Sequence, residues 1–377
     1  MSRYGNPRDG VDLTSSTGRP IGFTLYIPEV KGLRSSTRLL ASDAWDALGQ
    51  HARRVIADQK VRETANAFLR QSQGLYKAAL SVEMAIQPLL YYYSFLDLAK
   101  AAILLKYPED AIENAIHGMQ EPAKPLKVRK RFALGNVVVS DQAKKNENKK
   151  KTQKIHVLNR LCEALGYKPF CNGKRFSVRD MLSQVPSIHR AYCESMTERE
   201  RILAIHRPSF LRSESEKTLW ARLLLNKYLD VSELTHRKRF NECFHRTDAP
   251  GDLAGFRCFE SNKVYRFKRS AIEVLPQITK DLRSAGLRCM LTRAGYHYYA
   301  ASHKPKKLVP QVVATYVALF YFSGLARYSP EALEALLQGK EGWAIRELLS
   351  TETQQWPYLL ASEVLQREVV RPYAQIE

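Results

Sequence analysis

The 377-residue chain predicts a mainly α fold: a helical bundle with a small β-rich insertion at roughly 255–301 and an irregular N-terminal arm. Three observations carry that expectation. Apolar residues recur at helical spacing before residue 107 and again after Pro310. Between residues 255 and 301, aromatic and basic residues interleave in runs of strand composition. Before residue 37, Gly5, Pro7, Gly10, Gly18, Pro20 and Pro28 break any periodicity. A hydrophobic share of 45% with 19 Tyr demands a buried core and excludes a disordered chain.

Taken in order, the first 36 residues form an arm with a short strand at Gly22–Ile27. A helical region over 37–120 follows. Leu40, Ala44, Ala47 and Leu48 make one helical face, with Ser42 or Asp43 as the cap. Further helices cover roughly Val61–Ala85 and Pro88–Lys106, where Pro88 suits a first turn that needs no N–H. Residues 121–154 form a basic loop with a short strand at Asn136–Val139. The central region, 155–254, is read as helical at Ile155–Leu165, Val178–Leu182, Ile188–Ile205 and Glu216–Leu229. The β-rich segment 255–301 turns at Ser261–Asn262 and Ala294–Gly295, and 302–377 is a C-terminal helical region. Leu89–Leu105 carries Asp97 and Lys100, and Val312–Ala326 is shorter than the roughly 20 residues a membrane span needs. Both are expected as core helices, with no membrane partner.

The net charge is +21, from 59 Lys and Arg against 38 Asp and Glu. It is concentrated: residues 121–160 hold twelve bases and three acids, whereas Ser329–Glu377 holds eight acids and four bases. Solubility requires only a few net charges in a small domain, so a polyanionic partner, RNA or DNA, is expected. The residues assigned to it are Lys124, Lys127, Arg129, Lys130, Arg131, Lys144, Lys145, Lys149, Lys150 and Lys151. The aromatics of 255–301 can stack on bases or alternate into a core.

Chemical signatures are sparse. The six Cys have no C-x-x-C pair, so free thiols in a reducing cytoplasm are expected and no metal or cofactor is called for. The first residues lack the apolar run of a secretory signal. Phosphate-cradling, hydrolase-elbow and zinc-protease motifs are missing. An Arg-x(4–6)-His spacing, the catalytic pattern of HEPN-type ribonuclease helices, is met by Arg201 with His206 and by Arg239 with His245. Arg199 lies seven before His206, on one helical face. Chance supplies such spacings about as often. Asp97 and Lys100, at i and i+3, are placed to pair within an apolar helix.

Three blocks resemble one family. They are PLLYYYSFLDLAKAAILL (Pro88–Leu105) followed by His117–Gly118, FSVRDMLSQVPSIHRAY (Phe176–Tyr192), and LFYFSGLARYSPEALEALL with QQWPYLLASEVL (Leu319–Leu337, Gln354–Leu365). In that order they resemble the bacterial YaaC-like family, whose early helices look like a HEPN-type bundle. The resemblance implies a mainly helical bacterial protein and brings no settled activity. It selects Tyr92, Tyr93, Lys100, His117, Arg327 and Tyr328, which either build one polar pocket or lock helices together. Gly118 is read as a helix C′ residue, with His117 near the last carbonyls.

Three functions follow as expectations. The first is nucleic-acid binding, in a stress or phage-defence setting. The second is a non-catalytic assembly subunit, docking a protein partner or a second copy through its C-terminal helices. The third is a metal-independent ribonuclease using Arg201 and His206.

Overall fold

The computed structural model describes residues 5–15, 18, 21–27, 38–112, 115–120, 126–128, 131–140, 155–198, 200–228, 238–249, 253, 255–291, 296–300 and 308–371. Of these, 50% are helical and 21% lie in strands of several sheets. The fold is therefore mixed α/β, and the mainly helical class expected from the sequence is corrected. The chain divides into two compact units. One is Ala41–Glu200 with Val309–Leu365; the other joins Met1–Leu40, Arg201–Leu308 and Gln366–Glu377.

The first unit is helical: α1 Ala44–Val55, α2 Gln59–Ala79, α3 Gln87–Lys106, α4 Val157–Ala164, α5 Val178–Leu182, α6 His189–Met196, α7 Gln311–Tyr328, α8 Pro330–Gln338, α9 Gly342–Glu347 and α10 Thr353–Leu365. Asp43 caps α1 by accepting from the N–H groups of Trp45 and Asp46, and Asp58 caps α2 through Val61 N–H. Trp45 Nε1 donates to Ser72 Oγ at 2.7 Å, and Ser72 lies 3.2 Å from Ser94 Oγ, tying α1 to α2 and α2 to α3. Burial extends around α3 and α7, so neither is amphipathic. By length and composition α3 could cross a membrane, yet 78% of its most apolar window is buried inside the protein. It serves as a core helix. The α2 helix ends at Ala79, before the expected Ala85. Strands Met119–Gln120, Asn136–Val139 and Arg175–Ser177 form a small antiparallel sheet, and Leu126–Val128 pairs with Arg131–Ala133.

The second unit is largely β. Its main sheet runs Val11–Asp12, Arg207–Ser213, Thr218–Asn226, Phe256–Ser261, Phe244–Thr247, with Tyr265–Arg266 also on Thr218–Asn226. Leu287–Met290, Tyr296–Ala300 and Ile202–Ile205 make a second sheet, and Glu368–Val370 pairs in parallel with Arg38–Leu40. Glu260, on Phe256–Ser261, is wholly buried, and Arg222 Nη2 of the neighbouring central strand pairs with it at 2.8 Å. A buried carboxylate needs such a partner.

Several element assignments change here. The helix expected over Glu216–Leu229 is the central strand Thr218–Asn226, buried along almost its whole length. A run covered on both faces shows neither the two-residue nor the 3.6-residue period, and its four leucines favour the helical reading. The helix expected to reach Ile205 stops at Met196, where Thr197 adopts φ 54° and closes it; Ile202–Ile205 is a strand. The β-rich segment contains a helix, Leu275–Ala285, with a proline in its first turn and Gly286 at φ 116° after its end. Phe23–Ile27 is buried without strand pairing.

Candidate functional site

The site is built on α3 and α7. Tyr93, Asp97 and Lys100 fall at i, i+4 and i+7 of α3, one stripe of its surface. Tyr316, Phe320 and Arg327 fall at i, i+4 and i+11 of α7, again one stripe. Tyr92 is buried to 2% exposure, its ring 5.6 Å from Tyr316 and 5.3 Å from Phe320. At the C-terminal turn of α7, Arg327 Nη1 donates to Tyr93 Oη at 3.2 Å, and its guanidinium lies 4.9 Å from the exposed Tyr328 ring. A cation in a last turn is favoured by the helix dipole. Lys100 Nζ sits 3.5 Å from Asp97 Oδ1 and 5.0 Å from the Phe68 ring. The expected i, i+3 pair is formed, though burial raises the Asp97 carboxyl while Lys100 opposes the rise.

His117 completes the cluster from a loop. His156, the N-cap of α4, makes no side-chain cap bond. Instead Val157 N–H donates to Ile116 O at 2.8 Å and Leu158 N–H to His117 O at 3.3 Å. The loop's carbonyls thus satisfy helix N–H groups that would otherwise be orphaned, and α4 holds the backbone of His117 in place. Gly118 follows with φ 76°, and a Cβ there would stand 3.2 Å from His156 Cβ. Gly118 therefore leads from this clamp into the strand Met119–Gln120, and the expected helix-capping role is corrected: α3 ended at Lys106. Gly118→Ala is expected to cost about 1–2 kcal/mol or more, from the left-handed backbone and the crowding at His156, in a urea melt against wild type.

His117 Nδ1 lies 2.6 Å from Tyr92 Oη. The side chain is partly exposed, and among the described residues no hydrogen bond to Nε2 is formed. Burial lowers the imidazole pKa, and Lys100 and Arg327 lower it further. Burial and both nearby positive charges thus favour the neutral ring. Five of the six residues selected by the motifs, Tyr92, Tyr93, Lys100, His117 and Arg327, converge here, and Tyr328 stacks on Arg327 at the rim. Tyr316 and Phe320 were missed as contributors, although their i, i+4 spacing ahead of Arg327 was the available signal.

Arg201 and His206 do not share a helical face. Arg201 precedes the strand Ile202–Ile205 and His206 follows it, on the order of 15 Å of extended chain apart. His206 N–H donates to Leu224 O, and the ring stacks on Phe256 at 4.4 Å. Arg199 lies outside the described residues. His245 sits in the strand Phe244–Thr247, with Nδ1 2.7 Å from Asn262 Oδ1. Of the basic run, Lys124, Arg129, Lys130, Lys144, Lys145, Lys149, Lys150 and Lys151 lie outside the described residues. Lys127 and Arg131 belong to the strands Leu126–Val128 and Arg131–Ala133, described in backbone only. Phe259, Tyr265 and Phe267 are buried, the core alternative for the aromatics of that segment.

One further groove, of about 670 Å³, is lined by Arg190, Cys193, Glu194, Thr197, Glu198 and Glu200. Cys193 Sγ lies 3.5 Å from His189 Nε2. Three glutamates and the C-terminal half of α6 disfavour a thiolate there. Among the described residues, no group of three or more His, Cys, Asp or Glu is arranged to hold a metal ion.

The family described as YaaC-like protein matches residues 34–364, most of the chain and every residue of the α3–α7 site. The chain belongs to the YaaC-like family. No curated protein and no solved structure matches it. In this YaaC-like chain the motif blocks meet in space: the first supplies Tyr92, Tyr93, Lys100 and His117, and the last supplies Arg327 and Tyr328.

Proposed function

We propose that this YaaC-like protein binds nucleic acid, seating a backbone phosphate between Lys100 and Arg327 beside His117. The observation that carries the reading is that Lys100 and Arg327 both act on a partly exposed imidazole, with Tyr93 bonded to Arg327 and the exposed Tyr328 ring beside that guanidinium. Ammonium and guanidinium groups neutralise phosphate and release counterions, and exposed rings accept stacked bases. The +21 net charge supports the same reading at long range.

Fluorescence polarisation with a labelled single-stranded RNA, titrated from 50 to 200 mM salt, tests it. Affinity is expected to fall steeply with salt, and Arg327→Gln is expected to reduce the slope of log affinity against log salt by about 0.7–1 without changing the melting temperature. Replacing Lys144, Lys145, Lys149, Lys150 and Lys151 together by Gln is expected to flatten the slope further. A slope near zero in the wild type, or one unchanged in both variants, refutes the reading.

A further inference from the structure

Resting on that reading, we infer that the α3–α7 site cleaves the RNA it binds, with His117 Nε2 taking the proton of a ribose 2′-hydroxyl that attacks the neighbouring phosphorus. Metal-free cleavage of this kind needs a base at the nucleophile, fixed positive charge at the phosphoryl oxygens, and a group that sets the base's orientation. Each has a named residue here. His117 is the base; Arg327 and Lys100 are the charges; Tyr92, buried and bonded to Nδ1 at 2.6 Å, is a positioning residue.

Nδ1 is engaged by Tyr92, Nε2 makes no hydrogen bond among the described residues, and the ring is partly exposed. Nε2 is thus the nitrogen left to meet a ligand. In the tautomer the step requires, the ring proton sits on Nδ1 and is donated to Tyr92 Oη, which leaves the lone pair on Nε2. The groups facing His117 are Tyr92, Tyr93 and Lys100 of α3, Arg327 of α7, and His156 behind Gly118, with Asp97 acting through Lys100. Both nearby charges that act on the imidazole are positive, so it stays neutral below the pH at which a free imidazole would be protonated.

The step balances without a co-reactant. The O2′–P bond forms as the P–O5′ bond breaks, and the 2′-hydroxyl proton passes to His117 Nε2. The same proton returns through solvent to the departing 5′ oxygen. The products are one strand ending in a 2′,3′-cyclic phosphate and one beginning with a 5′-hydroxyl. Lys100 and Arg327 offset the charge that builds on the non-bridging oxygens. DNA lacks the nucleophile and is not cut.

The full chain, in EDTA, is incubated with a fluorescein-labelled single-stranded RNA, the matching DNA, and the 2′-O-methyl RNA. Binding is read by polarisation on the same samples, and product ends by mass spectrometry. The expected result is cyclic-phosphate ends from RNA alone. His117→Asn retains an amide able to meet Tyr92, and is expected to lower the rate on the order of 10²–10⁴-fold with binding intact. Arg327→Gln is expected to move the acid limb of the rate–pH profile upward, because one charge that depresses the imidazole is gone. Tyr92→Phe is expected to lower kcat more than it raises KM, a split that a purely structural tyrosine does not produce. RNA that is bound yet uncut, cleavage of DNA or methylated RNA, or full activity in His117→Asn overturns the inference and leaves binding standing. RNA that is not bound in a salt-dependent way overturns both.

Discussion

Replacing Trp356 by alanine is expected to lower the unfolding free energy by about 3–5 kcal/mol, the range for deleting a large buried aromatic. Trp356 is 0% exposed. Its ring stacks on Phe95 of α3 at 4.0 Å and 10°, lies 6.1 Å from Tyr316 of α7, and its Nε1 donates to Val312 O at 2.8 Å. One side chain of α10 therefore joins the two helices that carry the site. Alanine leaves a cavity at that junction and removes the donor from a buried carbonyl. Trp356→Phe keeps most of the stack and loses only the donor, so it is expected to cost about 1–2 kcal/mol beyond the small change in volume. Urea melts of the three proteins separate the two contributions. Near-equal losses in both variants would mean that the indole N–H, rather than packing, dominates.

The junction also shows what could be read before the structure. The α3 helix was legible because its apolar run is long enough to decide between helix and strand, and Pro88 marks its start. Asp43 was legible as a cap because capping is local chemistry. The Asp97–Lys100 pair was legible for the same reason. By contrast, the strand Thr218–Asn226 has partners on both sides, from Arg207–Ser213 and Phe256–Ser261. Its state is set by neighbours rather than by its own pattern. The site divides along the same line. Tyr92, Tyr93, Lys100, His117, Arg327 and Tyr328 were singled out from short motifs, but the Arg327–Tyr93 bond spans 234 positions and no local pattern encodes it. Arg201 and His206 failed as a helical pair because their spacing carries meaning only if a helix forms, and the chain there crosses into a sheet. Glu352 was passed over entirely, since a lone glutamate in an acidic tail looks solvated.

The stability of the protein is expected to fall as pH rises from about 5 to 8 because of that glutamate. Glu352 is 0% exposed, in a π-helical turn (Leu348–Glu352) that runs into α10. Thr315 Oγ1 of α7 donates to Oε1 at 2.8 Å, and Ser187 Oγ donates to Oε2. Burial pushes its carboxyl from 4.5 up to about 7, and the two hydroxyls only partly oppose the rise. The folded protein therefore holds a proton that the unfolded chain releases between those values. Its contribution is complete below 4.5, fades above it, and is lost once pH passes about 7. The raised carboxyl corresponds to about 3 kcal/mol over that interval. His117 and His51 shift downward and so act with the opposite sign, which makes the wild-type curve alone ambiguous. Glu352→Gln resolves it, because a neutral amide of the same shape cannot ionise. The variant is expected to match the wild type, or fall slightly below it, near pH 5, and to exceed it at pH 8. A wild-type minus variant difference that stays constant across this range would show that Glu352 does not titrate there. Thr315, which donates to this carboxylate, sits one residue along α7 from Tyr316, which packs on Tyr92. Thr315 is therefore the link through which a change at Glu352 is expected to reach the helix pair of the site.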